Sequence, residues 1–209
     1  MKSIVMIYLC SLLVGLVCWG GISQKAEAQG TNSRKSGSMV FSAGGGIFYP
    51  FQGKSGFNAV VQAAGKISPQ ERFGVELEYR DAEVELFNAK DIDTQSFILR
   101  GIGQYFFRPN GISPYVGLGI NFAVNVFDEK EIERKRSSIN ITQGWGFGYG
   151  LLGLLGVEVP VGGGLAFFGE GRVSGDIQFT RYKRRSGKNK LSVESLSGLT
   201  GMGGLRMRF

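Results

Sequence analysis

Residues 114–126, PYVGLGINFAVNV, restrict the fold more than any other stretch of the chain. Val116, Leu118, Ile120, Phe122, Val124 and Val126 occupy every even position. Tyr115, Gly117, Gly119, Asn121, Ala123 and Asn125 occupy the odd ones. Strict alternation over this length is the period of a β-strand with two unlike faces. A tilted strand of roughly 9–11 residues crosses a bilayer, so this one is long enough to do so.

The same alternation recurs along the chain. It predicts strands over 39–49, 57–67, 72–80, 94–107, 114–126, 144–159, 165–179 and 191–209. Turn chemistry separates them: 50–56 with Pro50, Ser68-Pro69-Gln70, Arg108-Pro109-Asn110-Gly111, and 160–164 with its glycines. Longer polar segments are expected as loops over 81–93, 127–141 and 180–190. Short turns at one end and long loops at the other predict an all-β, eight-stranded antiparallel up-and-down transmembrane β-barrel.

Ahead of this region the chain opens Met1-Lys2, runs apolar from Ile4 to Trp19, and reaches Ala26-Glu27-Ala28. That order is expected of a secretory signal peptide over 1–28, with a retained anchor helix as the alternative. Residues 29–37 read as a flexible periplasmic lead and 38–209 as the barrel domain. Both cysteines, Cys10 and Cys18, fall in the signal, so the barrel has no disulfide or thiolate metal site. Val17 and Leu9 precede them, too large for a lipoprotein site. Without Lys2, Lys25 and Glu27, 22 basic residues face 16 acidic ones, a net charge of +6.

The apolar parity carries no charge in its central part, as expected of a face that meets lipid. Aromatic residues gather at its ends: Tyr49, Phe57, Phe127, Trp145 and Phe179 at the loop end, and Phe73, Tyr105, Phe107 and Phe209 at the turn end. Two such girdles suit the two membrane interfaces. The other parity is rich in glycine, most plainly from Gly144 to Gly150. Glycine at alternate positions is a poor solvent face but suits a narrow interior, where walls crowd. A soluble lipocalin-like carrier shares the alternation but does not need the girdles.

ERFGVELEYR (71–80), SPYVGLGINF (113–122), GVEVPVGGGLAFFGEGRV (156–173) and the terminal LRMRF resemble the small outer-membrane β-barrel family. That family takes in the membrane domain of OmpA and the OmpX-like, OmpW-like and opacity-type proteins, grouped as a porin family. The resemblance implies the outer membrane of a Gram-negative bacterium, a monomer, and lipid and lipopolysaccharide as surroundings. It also implies an assembly signal, Leu205, Met207 and Phe209, read by the barrel-insertion machinery, although Gly203 is small where an apolar residue is usual. With nothing after Phe209, a peptidoglycan-binding domain is expected to be missing.

The inward parity holds Glu76, Glu78, Glu158, Glu170, Asp176 and Glu194 with Lys66, Arg80, Arg100, Arg172, Arg206 and Arg208. Buried charges persist when paired. A barrel-interior ionic network of Glu76, Glu78, Arg80, Arg100, Glu170, Arg172, Asp176 and Arg206 is therefore expected to plug the barrel. The alternative is a narrow, porin-like path for small solutes along the same charges. Histidine is absent, which removes the commonest general base; no catalytic set, cofactor, metal site or nucleic-acid motif is expected. The function expected is a non-catalytic envelope-structural or surface-interaction role.

TRYKRRSGKNK (180–190) holds Arg181, Lys183, Arg184, Arg185, Lys188 and Lys190, a cluster suited to lipopolysaccharide phosphates or simply to water. The first alternative predicts salt-sensitive lipopolysaccharide binding, lost when Arg184 and Arg185 are both changed to Glu. Surface plasmon resonance reads it, and unchanged binding contradicts it.

Overall fold

The computed structural model describes residues 39–135, 139–141, 144–184 and 189–209. The expected signal peptide and lead, and Arg185 and Lys188 of the basic loop, lie outside them. The wall is built from β1 (Met39–Pro50), β2 (Gly53–Lys66), β3 (Glu71–Leu86), β4 (Ala89–Phe106) and β5 (Ser113–Phe127). A short helix, α1 (Glu129–Lys135), and β6 (Ile139–Ile141) follow. Then come β7 (Trp145–Gly162), β8 (Leu165–Arg184), β9 (Asn189–Ser195) and β10 (Gly198–Arg208). Neighbours pair antiparallel in the order β10-β1-β2-β3-β4-β5-β7-β8, and β10 also pairs β8, which closes the ring. Closure removes the free edges that an open sheet must protect.

Ten labelled strands make an eight-stranded wall. The pairing of β8 with β9 (Ile177↔Ser195) runs in unbroken register into its pairing with β10 (Ser174↔Gly198). β9 and β10 are thus one wall interrupted at Leu196 and Ser197, and β6 only extends the loop end beside β8.

The exterior is a belt of exposed hydrocarbon: Val61, Val75, Leu99, Leu118, Ile120, Leu151, Leu155, Val173 and Leu199 among others. A continuous apolar belt of this kind belongs in contact with a membrane. Its ends carry aromatic rings in mutual contact. At the loop end Phe57, Tyr79 and Phe97 follow one another at 5.6 and 5.3 Å, and Tyr149 lies 5.7 Å from Phe179. At the turn end Phe41 meets Phe209 at 5.8 Å and Tyr105 meets Phe107 at 5.7 Å. Phe127 does not join the girdle. It shares the inward parity of Asn125, is buried, and lies 6.4 Å from Phe87.

The expected loops are largely strand. The segment 81–93 continues β3 and β4 to a two-residue turn at Phe87 and Asn88, with φ of 54° and 57°. Alternation persists there, with Ala82, Val84 and Leu86 buried inside and Asp81, Glu83 and Glu85 outside. The outward face has become acidic because it now meets water. Likewise 53–56 belongs to β2, and β8 runs on to Arg184. The charged loop after β5 contains α1, whose Lys130 amide donates to the Asp128 carboxylate at 3.0 Å as a cap. Lys135 ties the helix to the carbonyls of Lys90 and Asp91 at 2.8 and 2.7 Å.

The short turns are built as the sequence suggests. The Ser68 hydroxyl accepts from the amides of Gln70 and Glu71 at 3.3 and 3.1 Å. Gly162, Gly163 and Gly164 adopt φ of 106°, 61° and 79°, which side chains resist.

Glycines in the wall fall into two groups. A Cβ at inward Gly74 would lie 2.6 Å from the Ala63 carbonyl, and one at Gly117 2.8 Å from the Gly103 carbonyl. A Cβ at outward Gly103, Gly169 or Gly201 meets nothing within 4 Å. Gly74→Val should therefore abolish the heat-modifiable folded band on gels, whereas Gly103→Val should keep it. Equal behaviour of the two variants contradicts the crowded interior.

Candidate functional site

The candidate site is the barrel interior, because the inward parity brings the charged residues of five strands into contact. Among the described residues, five carboxylates and six guanidiniums form one connected set. Strand register explains the start of it. Glu76 of β3 lies opposite Arg100 of β4, and Arg100 opposite Asn121 of β5. Arg100 donates to Glu76 at 2.9 Å, to Asn121 Oδ1 at 2.8 Å, and also to Glu78. Arg172 crosses from β8 to grip both oxygens of Glu76 at 2.6 and 2.7 Å, as a guanidinium fork matches a carboxylate. Glu76 thus holds two arginines at once, and it is almost completely buried.

The set continues towards the turn end. Arg172 also donates to Glu170 at 2.7 Å, and Arg206 of β10 bridges Glu170 at 2.7 Å and Glu158 at 3.0 Å. Arg72 donates to both oxygens of Glu158 at 2.7 and 3.2 Å, and Arg208 reaches the same carboxylate. Towards the loop end Arg80 donates to Glu78 at 3.0 Å and lies 4.0 Å from Asp176. Aromatic faces support the cations: Arg72 over Phe106 at 3.9 Å, Arg80 over Phe48 at 3.7 Å, and Arg206 between Tyr115 and Phe168.

Two inward glycines let side chains reach across a whole strand. Asn121 on β5 faces Gly150 on β7, and Gly150 faces Asp176 on β8. The Asn121 amide passes over Gly150 to donate to Asp176 Oδ1 at 2.7 Å, and a Cβ there would collide with that oxygen. Tyr115, Gly156 and Glu170 repeat the arrangement. The Tyr115 hydroxyl donates to Glu170 at 2.6 Å, and a Cβ on Gly156 would lie 2.6 Å from the ring.

All eight residues of the sequence-based network, Glu76, Glu78, Arg80, Arg100, Glu170, Arg172, Asp176 and Arg206, lie in this set. Glu158 and Arg208, seen only as inward residues, join it, and so does Arg72. Counting parity from Glu76 back to Arg72 is the signal that identifies the last. Glu194 is outside the set; it is half-buried near the loop end and accepts from the Ser192 hydroxyl at 2.6 Å. Lys66 makes no ion pair among the described residues.

Above the ionic set a second, apolar layer covers the loop end. Phe48, Val84, Leu86, Phe87, Ile92, Phe127, Ile132 of α1 and Leu196 pack as one buried cluster. Outside it, at the rim, Lys54 pairs with Glu83 at 2.7 Å, and that hydrogen bond raises the lysine pKa above its ordinary value. Arg181 and Lys190 of the basic cluster are exposed at this end, on the β8 and β9 hairpin that also carries Lys183 and Arg184. Leu205, Met207 and Phe209 face outward on β10 and the residue after it.

A closed eight-stranded antiparallel wall, apolar outside and ionic within, defines a membrane-spanning barrel. No protein-family model matches the chain, and no curated protein matches it by sequence. Among solved structures, the chain is similar to Neisserial surface protein A, with a TM-score of 0.57 and 17% identity over 83% of this chain and 98% of that one. It is also similar to the outer membrane protein OprG from Pseudomonas aeruginosa, with a TM-score of 0.62 and 15% identity over 84% and 97%. The fold is that of the small outer-membrane β-barrels.

Removing one partner of a buried ion pair costs about 3–5 kcal/mol, whereas an exposed pair contributes about 0–1 kcal/mol. Glu76→Gln is therefore expected to lower the urea stability of the barrel in lipid vesicles by about 3–5 kcal/mol. Lys54→Gln, at the solvent-screened rim, should leave the stability nearly unchanged. Equal losses contradict the placement of Glu76 at the centre.

Proposed function

We propose that this chain is an integral outer-membrane barrel protein with a non-catalytic role, a closed wall that serves the envelope or presents its loop end for surface contacts. The observation that carries this reading is the double blockage of the lumen. The ionic set fills the middle and turn half, and the apolar cluster with α1 fills the loop half. Opening the ionic layer would strand several buried charges, each at a cost of several kcal/mol. The loop end, by contrast, rises above the aromatic girdle as paired strands, with Asp81, Glu83 and Glu85 on the outward face of β3.

A second reading, a narrow channel for small solutes, is supported by one observation. Asn58, Ser174, the Oδ2 atom of Asp176 and the Oε1 atom of Gln178 are buried beside the loop-side members of the ionic set, without hydrogen-bond partners among the described residues. Such groups suit a file of water. Planar-bilayer recording of the refolded barrel separates the two. The closed wall predicts no stepwise conductance at moderate voltage; regular steps would overturn it in favour of the channel.

A further inference from the structure

The ionic set is not balanced along its length. In the loop-side half Arg80, Arg100 and Arg172 face Glu76, Glu78 and Asp176. In the turn-side half Glu158 is the partner of Arg72, Arg206 and Arg208 together, and Arg206 also shares Glu170 with Arg172. Lys66 adds a further cation here. It lies opposite Arg72 in the register of β2 and β3, and the charges of Arg208 and Arg72 both oppose its own. The other side-chain carboxylate at this end, Glu71, sits on the outward parity opposite Tyr105. Four cations, Lys66, Arg72, Arg206 and Arg208, thus meet two carboxylates at a partly open mouth, where Arg208 keeps about a quarter of its side chain exposed.

Unused donors point to the same place. Gln104 lies opposite Arg72 on β4, is 4% exposed, and its Nε2 atom is buried without a partner. The Nε atom of Arg208 is likewise buried and unpartnered, and Lys66 has no ion pair among the described residues. Uncompensated charge in a low-dielectric interior is costly, and so is an orphaned donor; an anion at the mouth relieves both. A surplus of two positive charges matches a phosphate group, which carries about −1.5 to −2 near neutrality as a monoester. Guanidinium forks, an ammonium and an amide also suit tetrahedral oxygens better than a single point charge.

We propose that the turn-end mouth of the barrel binds a phosphate group through Lys66, Arg72, Arg208 and Gln104. The group is either free phosphate or the phosphomonoester of a lipid headgroup. This rests on the barrel fold and is independent of whether the lumen conducts.

The test uses the full-length barrel refolded in a neutral maltoside detergent. Inorganic phosphate is titrated by calorimetry at low ionic strength, and native mass spectrometry follows retention of phosphatidic acid against an uncharged diacylglycerol. Saturable phosphate binding supports the free anion; retention of phosphatidic acid without phosphate binding supports the headgroup. In either case Lys66→Gln and Gln104→Leu should weaken binding at least tenfold, while Lys54→Gln at the opposite rim leaves it unchanged. Lys66 takes no part in the ion pairs of the interior, so its variant should keep the heat-modifiable folded band. Binding of neither probe, or undiminished binding by folded Lys66→Gln and Gln104→Leu, overturns the proposal.

Discussion

The buried fork between Arg172 and Glu76 is the contact on which the rest of the interior depends. It spans the lumen from β8 to β3, strands that are not neighbours in the wall, and so it fixes the two sides of the ring against each other. Around it Arg100, Glu78 and Glu170 take positions that only a filled and paired centre tolerates. Ionised groups in a low-dielectric interior are unfavourable alone and favourable only as a complete set. That condition selects one arrangement of eight strands, and a shift of one residue in any strand would turn its charges outward to the hydrocarbon.

The wall serves this centre through its small residues. Gly150 and Gly156 clear the line of sight for Asn121 to Asp176 and for Tyr115 to Glu170. Outward, the restraint is the lipid. A basic side chain at the bilayer midplane costs about 2–4 kcal/mol, and the exposed belt is hydrocarbon between two rings of aromatic residues. Beyond the upper ring the outward face of β3 turns acidic at Asp81, Glu83 and Glu85, while its inward face stays apolar and packs the cap. Inside and outside are thus set independently, one by pairing and the other by the surrounding medium.

That independence explains which features were legible in the sequence. Where lipid meets the wall, residues 114–126 alternate so cleanly that strand and faces follow directly, and the eight charges of the network fall on the inward faces of their own strands. Above the membrane the same strands carry Asp81, Glu83 and Glu85 outward, and polar composition there reads as loop although the backbone continues as strand. The aromatic character of Phe127 suggests the girdle, yet parity with Asn125 puts it inside. The helix α1 is too short and too charged to show a period, and its apolar anchor is the single buried residue Ile132 among those described. Contacts that skip a strand, such as Asn121 to Asp176, depend on register around the ring, which no local pattern carries.

The most direct test of a filled lumen is thiol accessibility, made clean by a sequence whose two cysteines, Cys10 and Cys18, can be replaced by Ser. Single cysteines at Ser96 and Ser174, both buried beside members of the ionic set, and at exposed Asn110 are treated with a water-soluble cationic methanethiosulfonate in the refolded barrel. The account predicts rapid labelling at Asn110→Cys and none at Ser96→Cys or Ser174→Cys until the barrel is unfolded. Rapid labelling of either buried position in the folded protein would contradict it.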